Sequence, residues 1–559
     1  MLKNKKFKLI TLAAAIALSA SVFAGCGSSS SNGSTTASGN KVIKVNIGAD
    51  PKTIDPGLNN SVEGSHVIVN AFEGLTNLDK DEKVIPGVAE KWDVSKDGLH
   101  YTFHLRKDAK WSDGKPVKAS DFEYAWKRAL NPDTASEYAF QLFYLKNGEA
   151  YNQSKDEKAT KKATADEVGV KATDDYTLDV TLEGATPYFL SLMAFPTYMP
   201  VRKDIVESHP KDWATKPETY VSNGPFMMKE LKMKDSINFV KNPNYWNTKS
   251  VKLDGIQFKV LDQESSYFAA FKTGQIDMID KPPVQEIPNL LKDGTAKSYP
   301  YLGTYYYDFN ISANAANVNP DAAKALKDVR VRKALSLAID RTAITKDVSK
   351  GGEIPATGFV PSGVTDEKGT KFKTKEYLNK TANVEEAKKL LAEAGYPDGK
   401  GFPKLEIIYN TLQMHQSIAV AVQDMWKKNL GIDITLRNLE RKVQLTEANK
   451  HNFVVNRDGW IADYNDPMTF LDIFTTTNGN NYCGYNNPKY DELITAAKHE
   501  ADSQKRTAML HQAEDMLMED MPIMPIFEYT EVVCMNKKLK DVHVSNLGFF
   551  IFRDADLEK

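Results

Sequence analysis

The alternation of apolar and polar positions divides this chain into stretches of different kinds. At the N-terminus, Lys3, Lys5, Lys6 and Lys8 precede an apolar run from Leu9 to Ala17, and small residues follow before Cys26. A basic start, a short apolar core and small residues mark a secretory signal. The run is too short to span a bilayer comfortably. Residues 27–40, GSSSSNGSTTASGN, have nothing to pack and read as a flexible tether. Residues 41–47 (KVIKVNI) and 100–106 (HYTFHLR) then alternate as half-buried strands do. Ser120 and Glu123 read as a capping box for a helix through Leu130, closed by Asn131-Pro132. Asn383 reads as the cap of VEEAKKLLAEA, with Glu386 reaching back and Gly395 as the stop.

Residues 404–439 form a self-contained unit. KLEIIYN (404–410) reads as a strand, HQSIAVAVQDMWKKN (415–429) as a helix, and IDITLRNL (432–439), after Gly431, as a second strand. A strand, a helix and a strand in that order imply a crossover between parallel neighbours. The fold class is therefore mixed α/β. Residues 152–168 are polar and read as exposed, and no internal repeat is present.

Composition narrows the function. Removing residues 1–25 takes away four lysines and no acid, so the formal charge moves from −2 to −6. Such a chain lacks the basic face of a nucleic-acid binder. Its 41% apolar fraction fills large cores, and its length of 559 residues suits two or three domains. No later segment is apolar enough to cross a membrane. Beyond Cys26, only Cys483 and Cys534 remain, either paired or, as their flanks suggest, two buried thiols. No Cys/His spacing suits zinc, and no metal or cofactor is expected. Gly-x-Ser-x-Gly, His-Glu-x-x-His, Walker and dinucleotide motifs are all missing, so nothing marks an enzyme. A surface hydrolase and an adhesin are the competing classes, and an adhesin would usually carry repeats.

Longer segments carry a resemblance. AEKWDVSKDGLHYTFHLRKDAKWSDG (89–114), DFEYAWKRALNPDTASEYA (121–139), NPNYW (242–246), DVRVRKALSLAIDR (328–341) and GWIADYNDP (459–467) occur in order across the mature chain. Together they resemble the extracytoplasmic oligopeptide-binding branch of solute-binding protein family 5, the peptide/nickel-binding receptors of ABC transporters. Ala24-Gly25-Cys26 resembles a bacterial lipobox, although Phe23 stands where Leu, Val or Ile is usual. The resemblance implies cleavage before Cys26, a lipid on its thiol, and a monomer held at the outer face of the bacterial cytoplasmic membrane. Membrane anchoring of that kind rests on acyl burial.

The fold so implied is a periplasmic-binding-protein-like two-lobe clamp of type II with an extra inserted domain. Domain I would comprise 41–70, 185–305 and 528–559, domain II the insertion 71–184, and domain III residues 306–527. A peptide would lie between the lobes and be passed to two permease subunits with their ATPases. Related receptors take dipeptides, cell-wall or signalling peptides, nickel chelates or sugars.

A peptide brings an ammonium, a carboxylate and a polar backbone, and burying any of these unpartnered is costly. Asp463 matches the residue that pairs with the ammonium; taken alone, Asp-Tyr-Asn-Asp-Pro reads as a turn. Gly459, Trp460 and Ile461, with Val62 and Glu63 opposite, match the backbone that holds the peptide as an added strand. Tyr138 and Tyr306 match lining aromatics, or else are core tyrosines. Arg457 and His415 match partners of the carboxylate; alone, His415 reads as a neutral helix-start histidine. The resemblance places other family cations at Ser349, beside Lys350, and near Ala448, and a pocket tryptophan at Arg441. A family disulfide falls on Gly303 and Ile461 and is absent.

Overall fold

Two strands of unusual length organise the body of the protein. The computed structural model describes residues 40–157, 159–366 and 369–558. The expected signal, Cys26 and residues 27–39 of the tether lie outside the described residues. Among those described, eleven strands form one sheet. At its centre Ala296–Phe309 pairs antiparallel with Ile523–Met535. On one side the sheet continues through Met278–Asp280, Val42–Asn46, Gly255–Lys259, Ser236–Lys241 and Phe226–Lys232. On the other it continues through Val455–Ile461, Leu405–Asn410 and Ile434–Leu439, and the short Ile354–Pro355 pairs with Ile523–Met535 as the eleventh strand. The central ladder shifts register between Pro300 and Thr304. Pro300 lacks the N–H a regular ladder needs, and a second shift falls between Tyr305 and Tyr306.

The local patterns explain the elements. In Val42–Asn46, Ile43 and Val45 are fully buried while Val42 is 38% exposed, as period-two alternation requires. Leu405–Asn410 and Ile434–Leu439 are parallel neighbours joined by the helix Gln413–Leu430, the crossover expected from sequence. Ile418, Val422, Trp426 and Leu430 recur every four residues and are buried. Gly431 ends the helix at φ +72°, a left-handed conformation that favours glycine. Truncating Trp426 here would cost about 3–5 kcal/mol.

A separate four-stranded antiparallel sheet runs Ala89–Val94, His100–Leu105, Thr177–Thr181, Val170–Asp174. The helix Ala119–Leu130 contributes buried Phe122, Trp126, Ala129 and Leu130 to the surrounding core. Its capping differs from expectation. The helix starts one residue before Ser120, and Asp121 Oδ2 accepts the Lys118 N–H at 2.9 Å. Glu123 instead accepts from Lys127 at 2.7 Å and from the Ala172 N–H at 2.8 Å, tying helix to sheet. Asn383 caps Val384–Glu393 as expected, but Glu386 contacts Lys389 at 3.4 Å, one turn on. Cys483 and Cys534 are both free and buried. Among the described residues no helix is long and apolar enough to cross a membrane.

Candidate functional site

A cavity of about 160 Å³, open to solvent at its mouth, is lined by Asn59, Asn60, Ser61, Val62, Tyr138, Tyr301, Ile461 and Asp463. Its walls come from distant parts of the chain, each fixed by a buried polar contact. Asp55 takes a bidentate bond from Arg128 at 3.0 and 2.6 Å and another from Trp213 Nε1 at 3.1 Å. That anchor holds the start of the turn 56–58 that leads to Ser61, the cap of helix Val62–Ala71. Asp466, 1% exposed, takes both terminal nitrogens of Arg506 at 2.8 and 2.7 Å. The turn carrying Asp463 is thereby locked three residues away.

Asp463 is half-buried at the cavity wall. Burial pushes its carboxyl up to about 7, the Asp472 charge adds to the effect, and the Gln141 amide opposes it. No cation is among the groups acting on it. A second, smaller cavity of about 50 Å³ adjoins the first through Phe195, Asp463, Leu547 and Phe549. Its other walls include Val69, Phe72, Met199 and Ile551, with Glu73, Glu82 and Arg553 as charged members.

The strand Val455–Ile461 leads into this wall. One edge is in register with the central strand, placing Gly459 opposite Tyr305 and Ile461 opposite Gly303. The other edge pairs with Leu405–Asn410 only at Val455 and Asn456. The edge from Arg457 to Ile461 is therefore unclaimed by any described strand, although Gln444 Nε2 donates to the Arg457 carbonyl at 2.9 Å. Such an edge accepts an added strand. Gly459 admits Tyr529 closely: a Cβ there would lie 2.4 Å from the Tyr529 hydroxyl.

Arg457 lies further along the strand, on the same face as Gly459 and Ile461 by period-two alternation. It is 7% exposed. Its terminal nitrogens donate to the Tyr529 hydroxyl at 2.8 Å and to Asn410 Oδ1 at 3.3 Å, and its guanidinium lies 4.4 Å from the Tyr305 ring centre. Nε has no partner. Burial works against this charge, but Tyr529, Tyr305 and Asp458 hold it protonated. His415 packs on Tyr305, with ring centres 5.6 Å apart. Burial, then Arg457 and Arg441, push His415 down to about 2, so it is neutral, and its Nδ1 has no partner. It presents a neutral ring nitrogen and no charge.

Several residues lie elsewhere than expected. Tyr306 is 1% exposed and packs edge-on against Phe359, with its hydroxyl donating to Asp458 at 3.3 Å. Strand alternation sends Tyr305, its neighbour, to the Arg457 side, so Tyr305 is the aromatic that meets the cation. Val62 and Glu63 open a helix and are not part of a strand; Val62 lines the cavity together with Asn59, Asn60 and Ser61. Trp460 is half-buried, and its Nε1 lies 3.4 Å from Thr469 Oγ1. Ser349 is buried in the turn Ile344–Ser349, Lys350 follows at φ +59°, and Ala448 is buried. Arg441 is exposed and donates to Gln444 at 2.7 Å. Tyr301, Tyr305 and Tyr529 had no distinguishing signal in the sequence beyond being aromatic. Among the described residues no group of three His, Cys, Asp or Glu side chains is placed to hold a metal.

Comparison with known proteins agrees with this architecture. Residues 83–482 match the model of the bacterial extracellular solute-binding proteins, family 5 (middle). The oligopeptide-binding protein OppA of Bacillus subtilis (strain 168) is 39% identical over 99% of each chain. The solved structure of the Escherichia coli murein tripeptide binding protein MppA is 36% identical, covers 93% of this chain and 99% of its own, and superposes with a TM-score of 0.77. Haemophilus influenzae OppA in complex with RPPGFSPFR is 32% identical, with 93% and 99% covered and a TM-score of 0.75. The fold is that of the type II periplasmic-binding-protein class, and the chain belongs to family 5 of the bacterial extracellular solute-binding proteins.

Proposed function

We propose that this protein captures oligopeptides between two lobes and hands them to an ABC importer, without chemistry on the ligand. The observation that carries the reading is Asp463, a partly buried carboxyl with no counter-cation, at the end of an unclaimed strand edge. That arrangement suits a free α-ammonium followed by an extended backbone. Peptide-binding relatives of high similarity support the same ligand class. From Arg457 to Asp463 the chain advances six residues, roughly 20 Å if extended. After the reach of the two side chains, that leaves room for a peptide of about three to five residues. The apolar walls of the adjoining cavity suit an apolar first side chain.

On this reading, 41–70, 185–305 and 528–559 form one lobe, 306–527 the other, and 71–184 an insertion on the first. The register shift at Pro300–Thr304 supports a hinge there. A lipid on Cys26 would keep the receptor at the outer face of the membrane, beside a permease whose ATPases supply the energy.

Native mass spectrometry of residues 41–559, before and after mild denaturation, tests the ligand class. Co-purifying short peptides are the expected result. Calorimetry with a free-amine peptide and its N-acetylated form tests Asp463, and equal affinity for the two would remove it from the site.

A further inference from the structure

Gln141 lowers the raised Asp463 carboxyl, and its own packing is unusual. It sits in the short turn Ala139–Leu142, three residues after Tyr138, and is 1% exposed. Its main chain is fixed: the backbone N–H donates to the Tyr138 carbonyl at 3.1 Å, and the carbonyl accepts the Tyr198 hydroxyl. Its side chain is not, since neither Oε1 nor Nε2 has a hydrogen-bond partner. A buried amide without partners is costly, and an apolar side chain would fill the same space without that cost. Tyr138, three residues earlier, lines the same cavity as Asp463, and the Gln141 amide favours the charged form of that carboxyl.

The contact belongs to a longer seam between two segments remote in sequence. Tyr464, next to Asp463, stacks on Tyr188 with ring centres 4.2 Å apart, and its hydroxyl accepts from the Tyr144 hydroxyl at 3.0 Å. Other groups face Asp463 from the elements around it. Asp472 is a like charge, itself 3.4 Å from Lys498. Tyr138 senses the Asp463 charge, and Thr469 Oγ1 lies 3.4 Å from the Asp463 N–H. Glu73, Glu82 and Arg553 line the adjoining cavity, and Arg506 is engaged by Asp466. With a like charge nearby, an oriented donor is what the carboxylate needs.

We propose that Gln141 is a positioning residue for Asp463. Once a peptide ammonium fixes the negative charge, Nε2–H donates to the carboxylate, and this bond joins N-terminus capture to closure of the Tyr144–Tyr464–Tyr188 seam. The inference rests on the peptide-binding reading. A carboxylate is a far stronger acceptor than a neutral carboxyl, so the bond is strongest in the liganded state.

The test compares wild type, Gln141→Leu, Gln141→Asn and Asp463→Asn by calorimetry, with trialanine and N-acetyl-trialanine, from pH 5 to 8. Gln141→Asn is one methylene too short to reach and serves if Gln141→Leu does not fold. The expected result is about a tenfold loss of trialanine affinity in the Gln141 variants. The pH midpoint of binding should also move upward, with N-acetyl-trialanine unaffected. Unchanged affinity and midpoint would overturn the inference. So would an equal loss for both peptides, which marks a purely structural role. If Asp463→Asn abolishes the preference for the free amine while the Gln141 variants keep it, the inference fails and the peptide reading stands. If Asp463→Asn keeps that preference too, the peptide reading fails with it.

Discussion

The two ends of the proposed site treat charge in opposite ways. At one end Asp463 has no cation beside it, and burial raises its carboxyl to about 7. At the other, Arg457 is held among Tyr305, Tyr529 and Asn410 and stays protonated at every accessible pH. The first charge is only part-formed near neutral pH, and on the proposed reading a bound ammonium would complete it. The second exists before the ligand arrives, supported by Tyr529, Tyr305 and Asp458. If peptides bind as proposed, the difference implies a division of labour: the Asp463 end would discriminate, and the Arg457 end would offer standing attraction to a carboxylate.

The sharpest way to break this comparison is to remove the discriminating end. Asp463→Asn keeps the shape and deletes the charge. Affinity for free-amine peptides should fall by about 2–5 kcal/mol, as when one partner of a desolvated pair is lost. Calorimetry on matched free and N-acetylated peptides reads the change, and the gap between them should close. Arg457→Gln should act at the other end only. Peptides with a free carboxylate should lose roughly 1.5–3 kcal/mol, the worth of hydrogen bonds to a charged group, and C-amidated peptides should be unaffected. A loss shared by both peptides would mean that Arg457 supports the strand and does not meet the ligand.

A subtler perturbation comes from Gly459. Its missing Cβ leaves space for the Tyr529 hydroxyl, which accepts from Arg457. Gly459→Ala should displace Tyr529 and cost about 1–2 kcal/mol of stability through overpacking. The Arg457 charge would lose part of its support, so discrimination between acid and amide peptides should weaken, while discrimination between free and acetylated amines should hold. Thermal unfolding and the same peptide pairs would separate the two effects.

How much of this could be read from the residues depended on whether the signal was local. The 404–439 crossover was legible because its apolar spacing and Gly431 are consecutive in sequence. Asp463 was legible only through the family resemblance, since its own motif also describes a turn. Tyr306 against Tyr305 was beyond reach. Adjacent strand residues face opposite sides, and which side meets Arg457 depends on a ladder with a partner about 150 residues away. Val62 and Glu63 were placed on a backbone edge, yet Ser61 caps a helix there because its side chain accepts the Gly64 N–H at 3.2 Å. Gln141 carries no motif at all; its interest lies in unpartnered atoms, which only packing reveals.

The smallest expected effect is also the one that reads both ends together. Asp463 has a carboxyl raised to about 7 without ligand, and a bound ammonium would hold it ionised. Below pH 7 the free protein carries a proton there that binding must expel, so affinity should fall by up to tenfold, about 1.4 kcal/mol, for each further unit of acidity. Above about pH 8 the peptide's own amine loses its proton, so the affinity maximum should lie between the two values. The same raised value means that this group favours the empty folded state at low pH. That contribution is complete below the ordinary carboxylate range and disappears as pH rises through about 7. His415, pushed down to about 2, and Arg457, always charged, add no slope to peptide binding in this window. Calorimetry in buffers of different ionisation enthalpy would count the protons released. Near one proton at pH 6, and none in Asp463→Asn, is the expected outcome. A slope that survives in Asp463→Asn would assign the titration to another group and erase the contrast between the two ends.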